Sequence, residues 1–135
     1  MATSSTATGV QLTDATLFRQ SCYVDGAWMD ASGGGTINVD NPATGEVIGT
    51  VPKLGAAETR QAIEAAQRAW PEWRRKTAKE RAAVLRRWYE LMIANQEDLA
   101  RLMTIEQGKP LVESRGEVVY AAAFLEWFGE GAKRG

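Results

Sequence analysis

The sequence predicts an α+β chain that is mostly helical, with two short β-hairpins followed by three or four helices. Two turn signals separate short apolar runs in its first part, and apolar residues recur at helical spacing from Ala56 onward. The chain shows no strand-helix-strand alternation and no repeat at a period of about 20 to 50 residues. We therefore expect hairpins over residues 22–52 and helices over about 56–134.

The composition is typical of a globular chain and excludes several kinds of chemistry. The 135 residues are 44% hydrophobic and carry a net charge of -1, which gives no long-range attraction to nucleic acid or anionic membranes. The absence of histidine excludes a Ser-His-Asp triad and any histidine-containing zinc site. Cys22 is the only cysteine, in agreement with a reducing compartment. We expect a cytoplasmic protein that has neither nucleic acid nor membrane as a partner.

The N-terminus is expected to be a disordered leader over residues 1–16, with a partial domain over 17–135. The leader is small and polar, and it lacks the basic start and apolar centre of a signal peptide. Further along, no run reaches the roughly eighteen to twenty apolar residues of a membrane span, because Glu126 interrupts the most apolar stretch.

The two hairpins are predicted from their turns. Asp25-Gly26 is a dipeptide that tolerates the positive φ angles of a tight hairpin turn, and short apolar runs flank it. In the second hairpin, alternating residues lie on either side of an "NPATG" turn, with Val47, Gly49 and Val51 on one face of the strand that follows.

The first helix is predicted over about 56–70. Ile63, Trp70 and Trp73 recur at helical spacing from Ala56 onward. Pro71 lacks a backbone N–H and is expected to end or kink the helix near its last turn.

Capping signals place the other helix boundaries. Thr77 and Glu80 form a capping box, which predicts the start of the second helix. Asn95 is expected to act as an N-cap where that helix bends or breaks. Gly108 accepts the left-handed conformation past a helix end, and Pro110 starts the last helix, which runs from about 110 to 134.

Several short motifs suggest a ligand, but each has a plainer interpretation. The "SGGG" of residues 32–35 precedes a strand rather than a helix N-terminus, which favours a turn over a phosphate loop. The "QGKP" of 107–110 lacks the upstream glycine and the Ser/Thr of a P-loop. The basic run 73–81 is better explained as a solvated helix junction than as a nucleic-acid site, since the whole chain is slightly acidic. Glu113 and Glu117 lie one turn apart, which favours an exposed acidic face over an acid/base pair.

Together the segments resemble the N-terminal part of an NAD(P)-dependent aldehyde dehydrogenase. The resemblance rests on the motifs "YVDGAW", "VDNPATGEVIGTVP", "TIEQGKP" and the closing "EWF", and on the spacing between them over residues 17–134. It is strongest toward the bacterial succinate-semialdehyde dehydrogenases. The resemblance implies the N-terminal part of that fold without its Rossmann sheet, and a parent reaction that oxidises succinate semialdehyde to succinate with NAD or NADP.

The resemblance implies no catalytic residue, no cofactor-binding residue and no metal ligand in this chain. The family's nucleophilic cysteine, general-base glutamate and dinucleotide-binding glycines all lie downstream of the matching segment, and Cys22 corresponds to none of them. The 135-residue chain alone is therefore expected to be inactive and to bind no cofactor.

Three aromatic residues are the candidates for a functional site. By resemblance, Tyr120, Phe124 and Trp127 correspond to a helix that borders the aldehyde entry tunnel in the family, although apolar packing alone also accounts for them. Asp40 and Glu106 lie near positions where some members hold a monovalent cation. No site is predicted there, because a third ligand would come from sequence beyond this segment.

The last helix leaves two principal interpretations open. The stretch 118–135 is apolar almost all the way round, which is typical of a buried helix. It fits a fragment of a longer aldehyde dehydrogenase. It also fits a standalone helical module that binds a partner protein through this helix. For the fragment, the exposed apolar face is expected to cause self-association, whereas a standalone module is expected to be monodisperse.

Overall fold

The structure, a computed structural model, describes residues 10–132; residues 1–9 and 133–135, which include most of the predicted leader, lie outside this range. A single 3-10 turn precedes the first strand. In this range the chain forms two antiparallel hairpins and then four helices, which confirms the predicted class. The elements are the 3-10 turn Ala15–Leu17, strands β1 Cys22–Val24, β2 Ala27–Met29, β3 Thr36–Asp40 and β4 Val47–Pro52, and helices α1 Ala56–Arg75, α2 Ala78–Ala94, α3 Gln96–Gln107 and α4 Leu111–Gly131.

The first hairpin has the predicted turn. Asp25 and Gly26 both adopt positive φ angles, 51° and 81°, as a two-residue hairpin turn of this type requires. Across the strands Tyr23 lies opposite Trp28, and their ring centroids are 5.2 Å apart. This aromatic pair stabilises the short ladder.

The second hairpin pairs β3 with β4 and buries one residue in particular. Ile48 is buried, whereas Val47 and Val51 on the other face of β4 are exposed. A Cβ atom added to Gly49 would lie 2.8 Å from Cζ of Phe18. Glycine is therefore needed at this position to admit the Phe18 ring.

Helix α1 is longer than the sequence predicted. It continues through Pro71 to Arg75, so the predicted end near residue 70 is wrong. Proline removes only one backbone hydrogen bond, and the residues after it continue the helix until Lys76 turns to an extended conformation. Much of α1 is exposed, including Ile63 and Trp70.

The capping box at the start of α2 is confirmed. The Glu80 carboxylate accepts the backbone N–H of Thr77 at 2.7 Å, and Oγ1 of Thr77 accepts the N–H of Glu80 at 3.3 Å. Gly108 has the predicted left-handed conformation, with φ of 74°, at the end of α3.

Asn95 lies between α2 and α3, as predicted, but its side chain bonds to the preceding helix α2 and not to α3. The Asn95 amide donates to the carbonyl of Leu91 at 2.8 Å and so completes the last turn of α2. The side chain makes no capping hydrogen bond to α3. The predicted side-chain N-cap is therefore wrong, because the side-chain amide joins the backbone N–H of Asn95 in donating to the Leu91 carbonyl.

The core lies where α4 packs on α2 and α3, and it is made of small residues. Ala82, Ala100, Ser114, Val118 and Ala122 are all buried there. Small side chains let the helix axes approach closely. Among the described helices, none combines the length and the apolar character that crossing a membrane requires.

The last residues of the predicted leader are attached to this helical part. The backbone N–H groups of Thr13 and Asp14 donate to the carboxylate of Asp98 on α3. One buried carboxylate thus supplies the acceptors for both backbone groups. Sequence pattern does not reveal such a contact, whose partners are about 85 residues apart.

Candidate functional site

Four aromatic side chains form one exposed face of α4, which we call the aromatic face. Trp127 is 71% exposed, Tyr120 67%, Phe128 61% and Phe124 48%. With Ala123 they line an open groove of about 370 Å³. The rings of Tyr120 and Phe124 meet edge to face with centroids 5.0 Å apart, a favourable aromatic geometry.

Side-chain size decides which face of α4 points outward. The buried residues Ser114, Val118, Ala122 and Gly129 recur at helical spacing and lie against α2 and α3. A Cβ atom on Gly129 would lie 3.5 Å from Cβ of Leu85. The bulky aromatic residues therefore occupy the side that no described element covers.

The structure brings the three predicted aromatic candidates together on this face. Tyr120, Phe124 and Trp127 all line the groove, but whether it borders an aldehyde tunnel remains a prediction. Phe128 was missed, although its spacing of four residues from Phe124 places it on the same face.

Two ion-pair clusters fix α4 relative to its neighbours. Arg86 on α2 reaches Glu126 on α4 at 3.2 Å and Glu90 at 3.1 Å. Its hydrogen bond to Glu90 is the main cause that raises the pKa of Arg86. This pair ties α4 to α2 beside the aromatic face.

The second cluster is centred on Glu97. Its carboxylate accepts from Nε of Arg115 on α4 at 2.7 Å and from Nε of Arg101 at 3.0 Å. These two hydrogen bonds lower the pKa of Glu97 to about 2, and the bond from Arg115 has the larger effect. Glu97 is thus a charged bridge between α3 and α4.

Other motifs from the sequence have structural roles. At the N-terminus of α1, the Glu58 carboxylate accepts hydrogen bonds from the hydroxyl of Ser32 and from the N–H of Gly55. The hydrogen bond from Ser32 is the main cause that lowers the pKa of Glu58 to about 2. Its negative charge occupies the position that a bound phosphate would take. Lys109 of the "QGKP" motif pairs with Glu117 at 2.7 Å.

The described residues contain neither a parallel sheet nor a cluster of metal-ligating side chains. Residues 10–132 contain only two-stranded antiparallel sheets, whereas dinucleotides bind at the carboxyl ends of a parallel sheet. Within the same range, no three Cys, Asp or Glu residues lie close enough together to hold a metal ion. The aromatic face offers an apolar surface with one phenol hydroxyl and one indole N–H, which suits packing rather than catalysis.

Comparison with known proteins defines the class. Residues 28–135 match the sequence model of the aldehyde dehydrogenase family. Because this match covers most of the chain, the chain belongs to the aldehyde dehydrogenase family, whose members are oxidoreductases.

Several relatives are semialdehyde dehydrogenases. Over 125 residues the chain is 73% identical to a glutarate-semialdehyde dehydrogenase of Pseudomonas aeruginosa and 58% identical to the NADP-dependent succinate-semialdehyde dehydrogenase of Escherichia coli; each match covers 93% of this chain and 26% of the relative. A crystal structure of succinate-semialdehyde dehydrogenase from Burkholderia pseudomallei matches with a TM-score of 0.90 and 58% identity, over 93% of this chain and 26% of that one. These matches confirm the predicted family and fold, and the chain spans about a quarter of the length of these relatives.

Proposed function

We propose that this chain supplies the N-terminal frame of an enzyme that oxidises a short semialdehyde to the corresponding dicarboxylate with NAD or NADP. The similarity to relatives named for glutarate and succinate semialdehyde supports this substrate class. The higher identity to the glutarate-semialdehyde relative makes glutarate semialdehyde the first substrate to test, with succinate semialdehyde second.

The chain's own part in this reaction is structural. Its described residues form no dinucleotide site, so the cofactor and the reacting groups belong to sequence that this segment does not contain. The aromatic face is the surface on which that remaining part packs, and Tyr120, Phe124 and Trp127 lie toward the aldehyde entry. The observation that carries this proposal is the exposure of four aromatic residues on one helix that packs against α2 and α3.

The area of this face is large enough for such a role. Taking about 200 Å² for each aromatic side chain and the exposed fractions above, the four rings offer about 500 Å² of apolar surface. At about 25 cal/mol per Å², covering them is worth on the order of 12 kcal/mol before the costs of association.

The first test is activity with and without the complementary segment. The purified chain alone, with NAD or NADP and either semialdehyde, should give no NAD(P)H absorbance above the buffer rate. Adding the remaining C-terminal segment of the Pseudomonas aeruginosa relative should restore turnover. Turnover by the chain alone, at its correct intact mass, would contradict the proposal.

Variants then test the aromatic face. Phe124→Asp with Trp127→Asp should abolish complementation, because two charges would be buried in an apolar interface. Ile63→Asp is the matched control, since Ile63 is 64% exposed on α1 and lies outside the aromatic face. Equal turnover from the aromatic-face variant and the control would show that another surface makes the contact.

The same face is expected to cause self-association of the isolated chain. Two copies that cover one another's aromatic faces bury about 1,000 Å² together, near the lower limit for a specific interface. Sedimentation velocity should show a concentration-dependent species that Trp127→Asp removes. A monodisperse monomer at all concentrations would refute self-association and leave the complementation test unaffected.

A further inference from the structure

Residues 10–14, which we call the strap, are held on α3 by one buried carboxylate. Oδ1 of Asp98 accepts the N–H of Thr13 at 2.9 Å, and Oδ2 accepts the N–H of Asp14 at 2.8 Å. Asp98 is only 4% exposed and lies in the first turn of α3. Both oxygens of a charged side chain are thus directed at two consecutive backbone donors, an arrangement that gives strong hydrogen bonds.

A second contact lies one turn further along α3. Nη1 of Arg101 donates to the carbonyl of Gln11 at 2.8 Å. The guanidinium is itself oriented by Glu97, which also holds Arg115 on α4. The strap is therefore attached to two α3 side chains, one of which the packed helices fix in place.

The charges around Asp98 favour its ionised form. The hydrogen bonds from the backbone of Thr13, and next from that of Asp14, lower its pKa, and Arg101 acts in the same direction. Burial of the Asp98 carboxylate opposes this by raising its pKa, while the neighbouring Asp14 carboxylate accepts the N–H and the hydroxyl of Thr16 at 2.9 and 2.7 Å. Asp98 is thus charged at neutral pH, and both contacts are present.

The strap residues are half-buried or exposed. None of its five residues is buried. With Arg101, Thr104 and Leu111, its residues Val10 and Gln11 line a groove of about 340 Å³. A segment that has no fully buried side chain and is attached through polar groups is of the kind that opens locally.

We propose that residues 10–14 are a latched strap, closed by Asp98 and Arg101, which opens as a unit while α2, α3 and α4 stay folded. Opening removes the strap wall of the groove and exposes the α3 and α4 residues that line it. The strap is thus a conformational device distinct from the aromatic face, and it does not depend on the proposed enzyme function.

Native-state hydrogen exchange on the full chain tests this without any substitution. The N–H groups of Thr13 and Asp14 are themselves the latch donors, so their exchange reports its opening. Their exchange should depend only weakly on urea, whereas exchange at Val118 and Ala122 in the core should require global unfolding. An equal urea dependence at all four amides would overturn the proposal.

Variants identify the latch. Asp98→Asn keeps the side-chain shape but replaces one acceptor oxygen by a donor, and it should speed exchange at Thr13 and Asp14 by about 10- to 100-fold. Glu113→Gln, which neutralises an exposed carboxylate in the first turn of α4, is the matched control and should leave these rates unchanged.

The core amides decide how the result is interpreted. Faster strap exchange with unchanged protection at Val118 and Ala122 supports the latch. Strap rates within about two-fold of the unsubstituted chain would refute it, because the charged hydrogen bonds are expected to contribute at least about ten-fold. If Asp98→Asn unfolds the core, the urea dependence of the unsubstituted chain decides the question.

Discussion

Thr104 on α3 and Ser114 on α4 share a hydrogen bond, and their contributions to the free energy of unfolding should depend on each other. Their hydroxyl oxygens are 2.9 Å apart, and Ser114 is fully buried. Ser114→Ala leaves the Thr104 hydroxyl without this partner, and Thr104→Val leaves the buried Ser114 hydroxyl without its own. Each single change should lower the free energy of unfolding by about 1–3 kcal/mol.

The double variant should cost much less than the sum. Thr104→Val with Ser114→Ala removes both polar groups together, so no buried hydroxyl is left unpaired, and the expected loss is about 0–1 kcal/mol. Urea unfolding, followed by tryptophan fluorescence and by circular dichroism, gives the free energy of unfolding of the unsubstituted chain, the two single variants and the double variant. These four values complete a double-mutant cycle. A coupling free energy of at least about 1 kcal/mol is expected.

One result would refute this reasoning. If the double variant equals the sum of the single variants within about 0.5 kcal/mol, the two hydroxyls do not depend on each other. Each would then be satisfied by a carbonyl of its own helix, one turn earlier, as serine and threonine in helices often are.

Three further predictions concern caps and charge. Gly108→Ala should destabilise the chain by more than about 1 kcal/mol in urea unfolding, because φ is 74° and the new Cβ would lie 2.9 Å from Cγ of Pro42. Gly116→Ala is the control, since Gly116 lies within α4 with open space around it. This substitution should be neutral or stabilise the chain by up to about 1 kcal/mol. Thr77→Ala should cost about 1 kcal/mol and lower the helical circular dichroism signal at a given urea concentration. Since the folded-state pKa of Glu97 is lowered to about 2 from an ordinary 4.5, its stabilising contribution should be complete above pH 4.5 and lost as the pH falls toward 2. Glu97→Gln should flatten that part of the profile, and an unchanged profile would exclude Glu97 as its source.

Features governed by neighbouring residues could be predicted from the sequence. Asp25-Gly26, the Thr77 capping box and Gly108 each act through backbone groups within a few residues, and all three appear as expected. Asn95 shows the limit of this reasoning. Its position between two helices was correct, but two competing backbone partners lay within reach, and the sequence does not rank them.

Features that join distant residues could not be predicted in the same way. Asp98 lies in a helix first turn, where an acidic residue is expected for its interaction with the helix dipole alone. Its contacts with Thr13 and Asp14 depend on how the chain returns to α3, and a local pattern does not encode that path. The same holds for the Arg115 bridge to Glu97.

The candidate site was predicted in part, by resemblance and not by pattern. Hydrophobicity alone marks α4 as apolar almost all the way round, and it does not show which side faces the core. In the structure Ser114, Ala122 and Gly129 lie on the buried side and allow close helix packing, whereas residues 120, 124, 127 and 128 lie on the exposed side.

The distribution of burial suggests that the aromatic face and the stability of the isolated chain are largely independent. Four of the six buried hydrophobic residues in the described range are alanines, and the largest side chain that is fully buried there is Ser114. Aromatic side chains usually supply much of the apolar area in a core, but here four of them lie outside it. Trp127→Asp should therefore change the free energy of unfolding of the monomeric chain by no more than about 0.5 kcal/mol, while it abolishes complementation. A large loss of stability from this substitution, measured below the concentration of self-association, would mean that the aromatic face is already packed within the chain and is not available to a partner.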